Sequence, residues 1–286
     1  MKTRKFCREV TYVSTSVYIA LALFMSSVFL VPAGAKAQLL FFADFEDAGN
    51  AKAFPDKSVN DVKSWKPTNA GTIWAIADFP NGTKGLKETA EGCGVSGNTP
   101  LPDPKGNLQN LSDFIFEMEF AQGDDDSFAI IFRQSALDKG YALLLGTQET
   151  PRVTLALLDK GCSKDGQCWS DNCENGNFIK DAPHALAFDI NAGKTGKGTV
   201  YKAKLEAIGD SIKLWYGEVG KEKLLLDVKD STHKSGAIGI FHESNSNSMI
   251  DNVTVSGKLG AVAVNVQGKL ATTWGTLKTY KRRMRP

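Results

Sequence analysis

Histidine is scarce in this chain: His184, His233 and His242 are the only three in 286 residues. None stands beside a serine or cysteine in a recognisable nucleophile motif, so no triad of the hydrolase kind is legible along the chain. Helical patterning is absent too, since no stretch after the N-terminus repeats apolar residues at the three-and-four spacing of a buried helix face. Internal repeats of useful length are missing, which argues against a solenoid or propeller. Long apolar runs are missing but for one, VYIALALFMSSVFLV from Val17 to Val31.

That one run explains the N-terminus. Lys2, Arg4, Lys5 and Arg8 precede it and Ala35-Lys36-Ala37 follows as an A-x-A cleavage pattern, so residues 1–37 read as a secretory signal peptide cut before Gln38. The competing reading is an uncleaved anchor, because Thr11 to Ala35 carries no charge and is about long enough to span a bilayer. With the signal removed, no membrane span is expected in the mature chain. Its charge also changes sign. The first 37 residues hold five of the 34 Lys and Arg and one of the 32 Asp and Glu, leaving 29 cations against 31 acids, a net of −2. Five of those cations (Lys278, Lys281, Arg282, Arg283, Arg285) lie in the last nine residues, so the body up to Leu277 stands at 24 against 31, or −7. An acidic body offers no counterion-release argument for nucleic acid.

Cysteine usage fits export to the cell surface, the periplasm or the medium. Cys7 leaves with the signal, and Cys93, Cys162, Cys168 and Cys173 remain. Four cysteines in an oxidising compartment read as two disulfides with three possible pairings. A metal set with His184 is the alternative, but the spacings lack the C-x-x-C knuckle of common zinc sites. Three of the four lie in a long Gly, Asp and Asn-rich excursion from Asp159 to Pro183. Such a length points to function or to a need for cross-links.

What the mature chain does contain is a dozen short segments rich in β-branched and aromatic residues, spaced by Gly, Asn, Asp and Pro. In SDFIFEMEF, Phe114, Phe116, Met118 and Phe120 take one parity and Ile115, Glu117 and Glu119 the other. TVYKAKLEAI alternates likewise, Lys202, Lys204 and Glu206 opposite Tyr201, Ala203, Leu205 and Ala207. The expected fold is therefore all-β: a two-layer antiparallel β-sandwich in which each sheet has one solvated face. Residues 38–256 form this unit, and 257–286, Gly-spaced and basic at the end, form a C-terminal appendage.

The strings FFADFED, TIWAIADF, LSDFIFEMEF, FAIIFR, GYALLLG, HALAFDI, AIGDSIKLWY and GAIGIFHESNSNSMIDNVTV together resemble the concanavalin A-like lectin/glucanase superfamily, most closely its 3-keto-disaccharide hydrolase-like and laminin G-like members. The resemblance covers about Leu39 to Ser256 and implies a jelly roll whose concave sheet holds sugar in many members. It does not imply catalysis. Glucanases of the superfamily carry an E-x-D-x-x-E strand. Here Glu117-Met118-Glu119 supplies two carboxylates, about 7 Å apart on one strand face, but lacks the intervening Asp and the third acid. Glu117 and Glu119 are thus the weak catalytic candidates if the protein is a glycoside hydrolase.

Carbohydrate is the expected partner, and a non-catalytic surface-interaction domain is the further alternative. Trp169, inside the cysteine-rich excursion, is a candidate stacking platform, with Arg133 and His242 as candidate polar contacts. Trp74 and Trp215 read as core. Gly123-Asp124-Asp125-Asp126 is a dense acidic turn of the kind hard cations favour, or simply a solvated one. Asp251 falls on the same parity as Val253 and Val255, where a carboxylate must be paired, hydrogen-bonded or metal-bound. By similarity with superfamily members, a structural calcium would join Asp251 to Asp44 or Glu46. Backbone N–H groups of the SNSNS connector are the other way to satisfy it.

Overall fold

The computed structural model describes residues 37–46, 57–68, 73–90, 96–126, 128–136, 138–145, 152–158, 178–183, 189, 191–243 and 245–257. The signal-peptide segment, all four mature cysteines, Trp169 and the appendage beyond Gly257 lie outside them.

Alternation in sequence becomes two-sidedness in space. Strands β5 (Phe114–Ala121), β10 (Tyr201–Ile208) and β11 (Ser211–Glu218) lie side by side. Their apolar parity, Phe116, Met118, Leu205 and Leu214 among others, is fully buried. The opposite parity carries the charges. Around this trio an eight-stranded antiparallel sheet assembles in the order β12-β11-β10-β5-β14-β3-β2, where β12 is Lys223–Lys229, β14 Met249–Gly257, β3 Lys84–Glu88 and β2 Trp74–Asp78. Strand β1 (Gln38–Ala43) pairs with β14 off this path.

The second sheet has six strands in the order β4-β13-β6-β7-β8-β9: Ser96–Pro100, Ala237–Glu243, Phe128–Ala136, Lys139–Leu144, Arg152–Leu157 and Phe178–Pro183. Its inner residues, including Phe128, Ile130, Phe132, Leu143, Leu155 and Ile240, join the main core. Across the two layers Phe120 meets Phe128 at 4.4 Å between ring centroids and Phe114 meets Phe132 at 6.1 Å. The chain is therefore an all-β, two-layer antiparallel sandwich.

One expectation needs correction. The six-stranded sheet has no wet outer face over its central strands. Ala129, Ile131, Ala142, Leu144, Ala156, Leu158 and Phe241 form a second apolar cluster there, each nearly or fully withdrawn from solvent. FAIIF, YALLL and VTLALL are apolar at both parities, the composition of a strand buried on both sides. One short helix, Asn191–Thr195, leads into β10.

Candidate functional site

A bulge in β14 breaks the alternation that would put Asp251 with Val253 and Val255. Ile250 pairs with Phe120 and Asp251 with Glu119, yet the next partners are Thr254 and Glu117, so β14 holds one residue more than β5 across this interval. Asn252 absorbs the extra residue with a left-handed φ of 50°, a conformation asparagine tolerates better than most side chains. Asp251 therefore shares the side of Glu119, not that of Val253. It is nonetheless 1% exposed, because here the edge of β14 passes from β3 to β1 and other chain segments close over it. Ile250 is paired with Leu86 of β3, and Val253 with Ala43 of β1.

The residues filling this seam are polar. Asp251 Oδ2 lies 2.6 Å from the Thr83 hydroxyl oxygen, and Oδ1 accepts from the Asn252 backbone N–H at 2.6 Å. Asn81 Nδ2 donates to Glu119 at 3.0 Å, which turns Asn81 Oδ1 toward Thr83. Glu46 accepts from the Lys84 backbone N–H at 2.9 Å. Thr83 Oγ1 thus lies within 2.6 Å of two acceptors, Asp251 Oδ2 and Asn81 Oδ1, with one hydrogen to give. A proton on Asp251 resolves the conflict: Asp251 donates to Thr83 and Thr83 to Asn81. Burial pushes the Asp251 carboxyl up to about 7, against the pull of the Thr83 and Asn252 bonds, and the charges of Glu119 and Glu46 add to the rise.

Of the two first-strand acids expected beside Asp251, Glu46 bears on it. The Asp44 carboxylate accepts from Asn60 Nδ2 at 2.6 Å and from the Glu46 backbone N–H at 3.4 Å, linking the end of β1 to the 3-10 turn Lys57–Asn60. Asp251 is satisfied by Thr83 and Asn252, not by the connector at 244–248. Among the described residues, the acids whose oxygens converge within 4.8 Å of one another are Asp124, Asp125 and Asp126, in the turn before β6.

The other candidates are dispersed. Arg133 is 1% exposed and sits at φ 48°. Its guanidinium gives two bonds to the Ser112 carbonyl (2.7 and 3.2 Å), one to Gly209 (2.8 Å) and one to His233 (3.2 Å). That ties three loops to the end of β6. His242 points inward with no exposure and packs edge-on to Trp74 at 5.7 Å. Burial pulls its imidazole down to about 4, so it is neutral at ordinary pH. Glu117 pairs with Lys202 at 3.6 Å on the outer face of β5 while Glu119 is held by Asn81, so the two carboxylates face different partners.

Trp215, expected in the core, is not there. Trp74 is core, its indole N–H bonded to Thr99 at 3.0 Å, but in β11 the core positions are Ile212, Leu214 and Tyr216. Trp215 falls on the opposite face with Lys213, partly exposed. The Lys204 ammonium lies 5.2 Å from its ring centroid, a cation–π contact that keeps the indole from folding away. Extending the alternation one strand beyond β10 would have found it.

No family model matches this chain, and no curated protein matches it. Solved structures do. The carbohydrate binding module CBM66 from Bacillus subtilis aligns at 18% identity over 68% of this chain and 96% of its own, with a TM-score of 0.46. The VIP36 exoplasmic/lumenal domain, in its Ca2+/Man3GlcNAc-bound form, aligns at 11% over 72% and 89%, TM-score 0.48. A protein of unknown function with a galectin-like fold from Bacillus subtilis aligns at 11% over 78% and 99%, TM-score 0.48. These are likenesses of β-sandwich architecture, and ligand chemistry does not transfer through them.

Proposed function

We propose that the protein is an exported carbohydrate-binding β-sandwich module. The observation that supports this best is Trp215: a partly exposed indole on the outer sheet face, with Lys204 at its ring and carboxylates within two strands. A flat aromatic face stacks on the C–H face of a pyranose, and fixed ammonium and carboxylate groups bond its hydroxyls. A pull-down on insoluble polysaccharides followed by calorimetry tests it, comparing the wild type with Trp215→Ala. Equal retention of both proteins would remove Trp215 from the site, and retention of neither would remove the function. Trp169 remains a second platform to be tested the same way. Hydrolysis assays with Glu119→Gln address the glycoside-hydrolase alternative; the burial of Asp251 keeps that acid from serving as the second carboxyl.

A structural calcium belongs to the same proposal. The carboxylates proposed to hold it are Asp251 with Asp44 or Glu46, joining the last strand to the first. The three aspartates at 124–126 are the other oxygen-rich place. Elemental analysis, with melting curves in calcium and in chelator, checks this: Asp251→Asn abolishes a shift that comes from the seam and preserves one that comes from the turn.

A further inference from the structure

The outer face of the eight-stranded sheet has an order that the single residue Trp215 does not convey. Strand register lines up Leu224, Trp215, Lys204, Glu117, Thr254 and Phe42 as successive cross-strand partners. They form one row running perpendicular to the strands from β12 to β1. An aromatic ring stands near each end. At about 4.8 Å per strand, the four steps from Trp215 to Phe42 span roughly 19 Å.

Beyond Phe42 the row meets a small indentation beside β1, lined also by Pro102, Asp103, Lys105 and Asn107. The charges along the row cancel locally. Lys202 is paired with Glu117 at 3.6 Å and Lys213 with Asp227 at 3.4 Å, leaving hydrogen-bonding groups of both kinds and no surplus of either sign.

We propose that this row binds an extended, uncharged glycan chain laid across the strands. It contacts internal sugars of a polysaccharide, not a terminal residue. The proposal rests on the carbohydrate-binding reading above and adds to it the shape and charge of the ligand. The ring-to-ring repeat of an extended pyranose chain is close to one strand spacing, so the row accommodates about four rings, stacked at Trp215 and again at Phe42. A charged polymer finds no complementary field here: an anionic one meets Glu117, Glu119 and Glu206, a cationic one Lys202, Lys204 and Lys213.

The test is calorimetric titration of the full chain with gluco- and manno-oligosaccharides of two to six residues, and with galacturonan as the charged probe. Affinity rises by about tenfold or more between the disaccharide and the tetrasaccharide and then levels off. Trp215→Ala and Phe42→Ala each cost the tetrasaccharide about tenfold, Trp215→Ala with little change in the melting curve, and Trp215→Tyr recovers part of the loss. If a disaccharide binds as tightly as a hexasaccharide and Trp215→Ala abolishes both, sugar binding stands and the extended-chain proposal is overturned. Preference for galacturonan overturns it as well. No binding of any probe refutes both readings together.

Discussion

Replacing Asp251 with asparagine isolates the proton held in the seam. Asparagine has the shape of a protonated aspartate and presents an N–H donor to Thr83, but it cannot ionise. Asp251 ordinarily loses its proton near 3.8 and here near 7. Below about pH 4 the folded and unfolded chains both carry the proton, and the site makes no pH-dependent contribution. Between pH 4 and 7 the unfolded chain gives it up while the folded chain keeps it, so stability falls as pH rises. Above 7 the loss is complete. At about 1.36 kcal/mol for each tenfold in the proton equilibrium, a rise from 3.8 to about 7 is worth roughly 4 kcal/mol. Water entering the seam trims this to about 2–4 kcal/mol, or on the order of 10 °C in melting temperature for a domain of this size.

Urea denaturation of wild type and Asp251→Asn, in chelator, at half-unit steps from pH 4 to 8 measures the effect. Glu88, which burial also raises to about 7, is common to both proteins and cancels in the difference. The wild type should lose stability relative to the variant across this window. Parallel curves would refute the reasoning, and a wild type that gains with pH would mean that Asp251 folds as a carboxylate.

His242 works in the opposite direction: its imidazole stays neutral until about pH 4 in the fold, so stability is lost as pH falls from about 6.5, by roughly 3 kcal/mol at the limit. His242→Gln should flatten the acid side of the curve. Arg133→Met leaves the carbonyls of Ser112, Gly209 and His233 without their donor and costs about 3 kcal/mol in urea denaturation; a loss under about 1 kcal/mol would show that water replaces the guanidinium. Asn252→Ala strains the bulge and destabilises by about 1 kcal/mol while Asn252→Gly does not, a contrast that thermal melts resolve. Trp215→Ala, on an exposed sheet face, shifts the melting temperature little yet weakens glycan binding by about tenfold.

How much of this was legible depended on whether a strand had one wet face. In β5 and β10 the alternation of large apolar and charged residues states both strand and orientation, and the structure agrees residue by residue. β6, β7 and β8 are recognisable as strands, but being apolar at both parities they conceal which side meets the other sheet. β3 and β4 were not legible at all. KGLKE and SGNTP lack β-branched and aromatic residues apart from one threonine, and they are strands because the edges of β14 and β13 offer partners.

Asp251 was misread for a similar reason. Period-two counting holds only while no residue is inserted, and the signal for insertion was a single Asn after Asp in an otherwise regular strand. Arg133 and His242 looked available because sequence shows where a strand ends but not which loops close over that end.

The pairing of β1 with β14 also sets the order in which the molecule can be made. Gln38 is the register partner of Gly257, so the first strand to emerge waits for the last before it has a place in the sheet. Closure is thus a late, long-range event, slow in the way non-local sheets are slow. A chain truncated before Val253 would leave β1 without a partner along its whole length. Conversely, the two ends of the sandwich lie only about 5 Å apart across one strand pair. Joining Gln38 to Gly257 through a short loop, and opening the chain at the exposed turn between β11 and β12, should yield a permutant in which β1 and β14 become a hairpin and this slow step turns local.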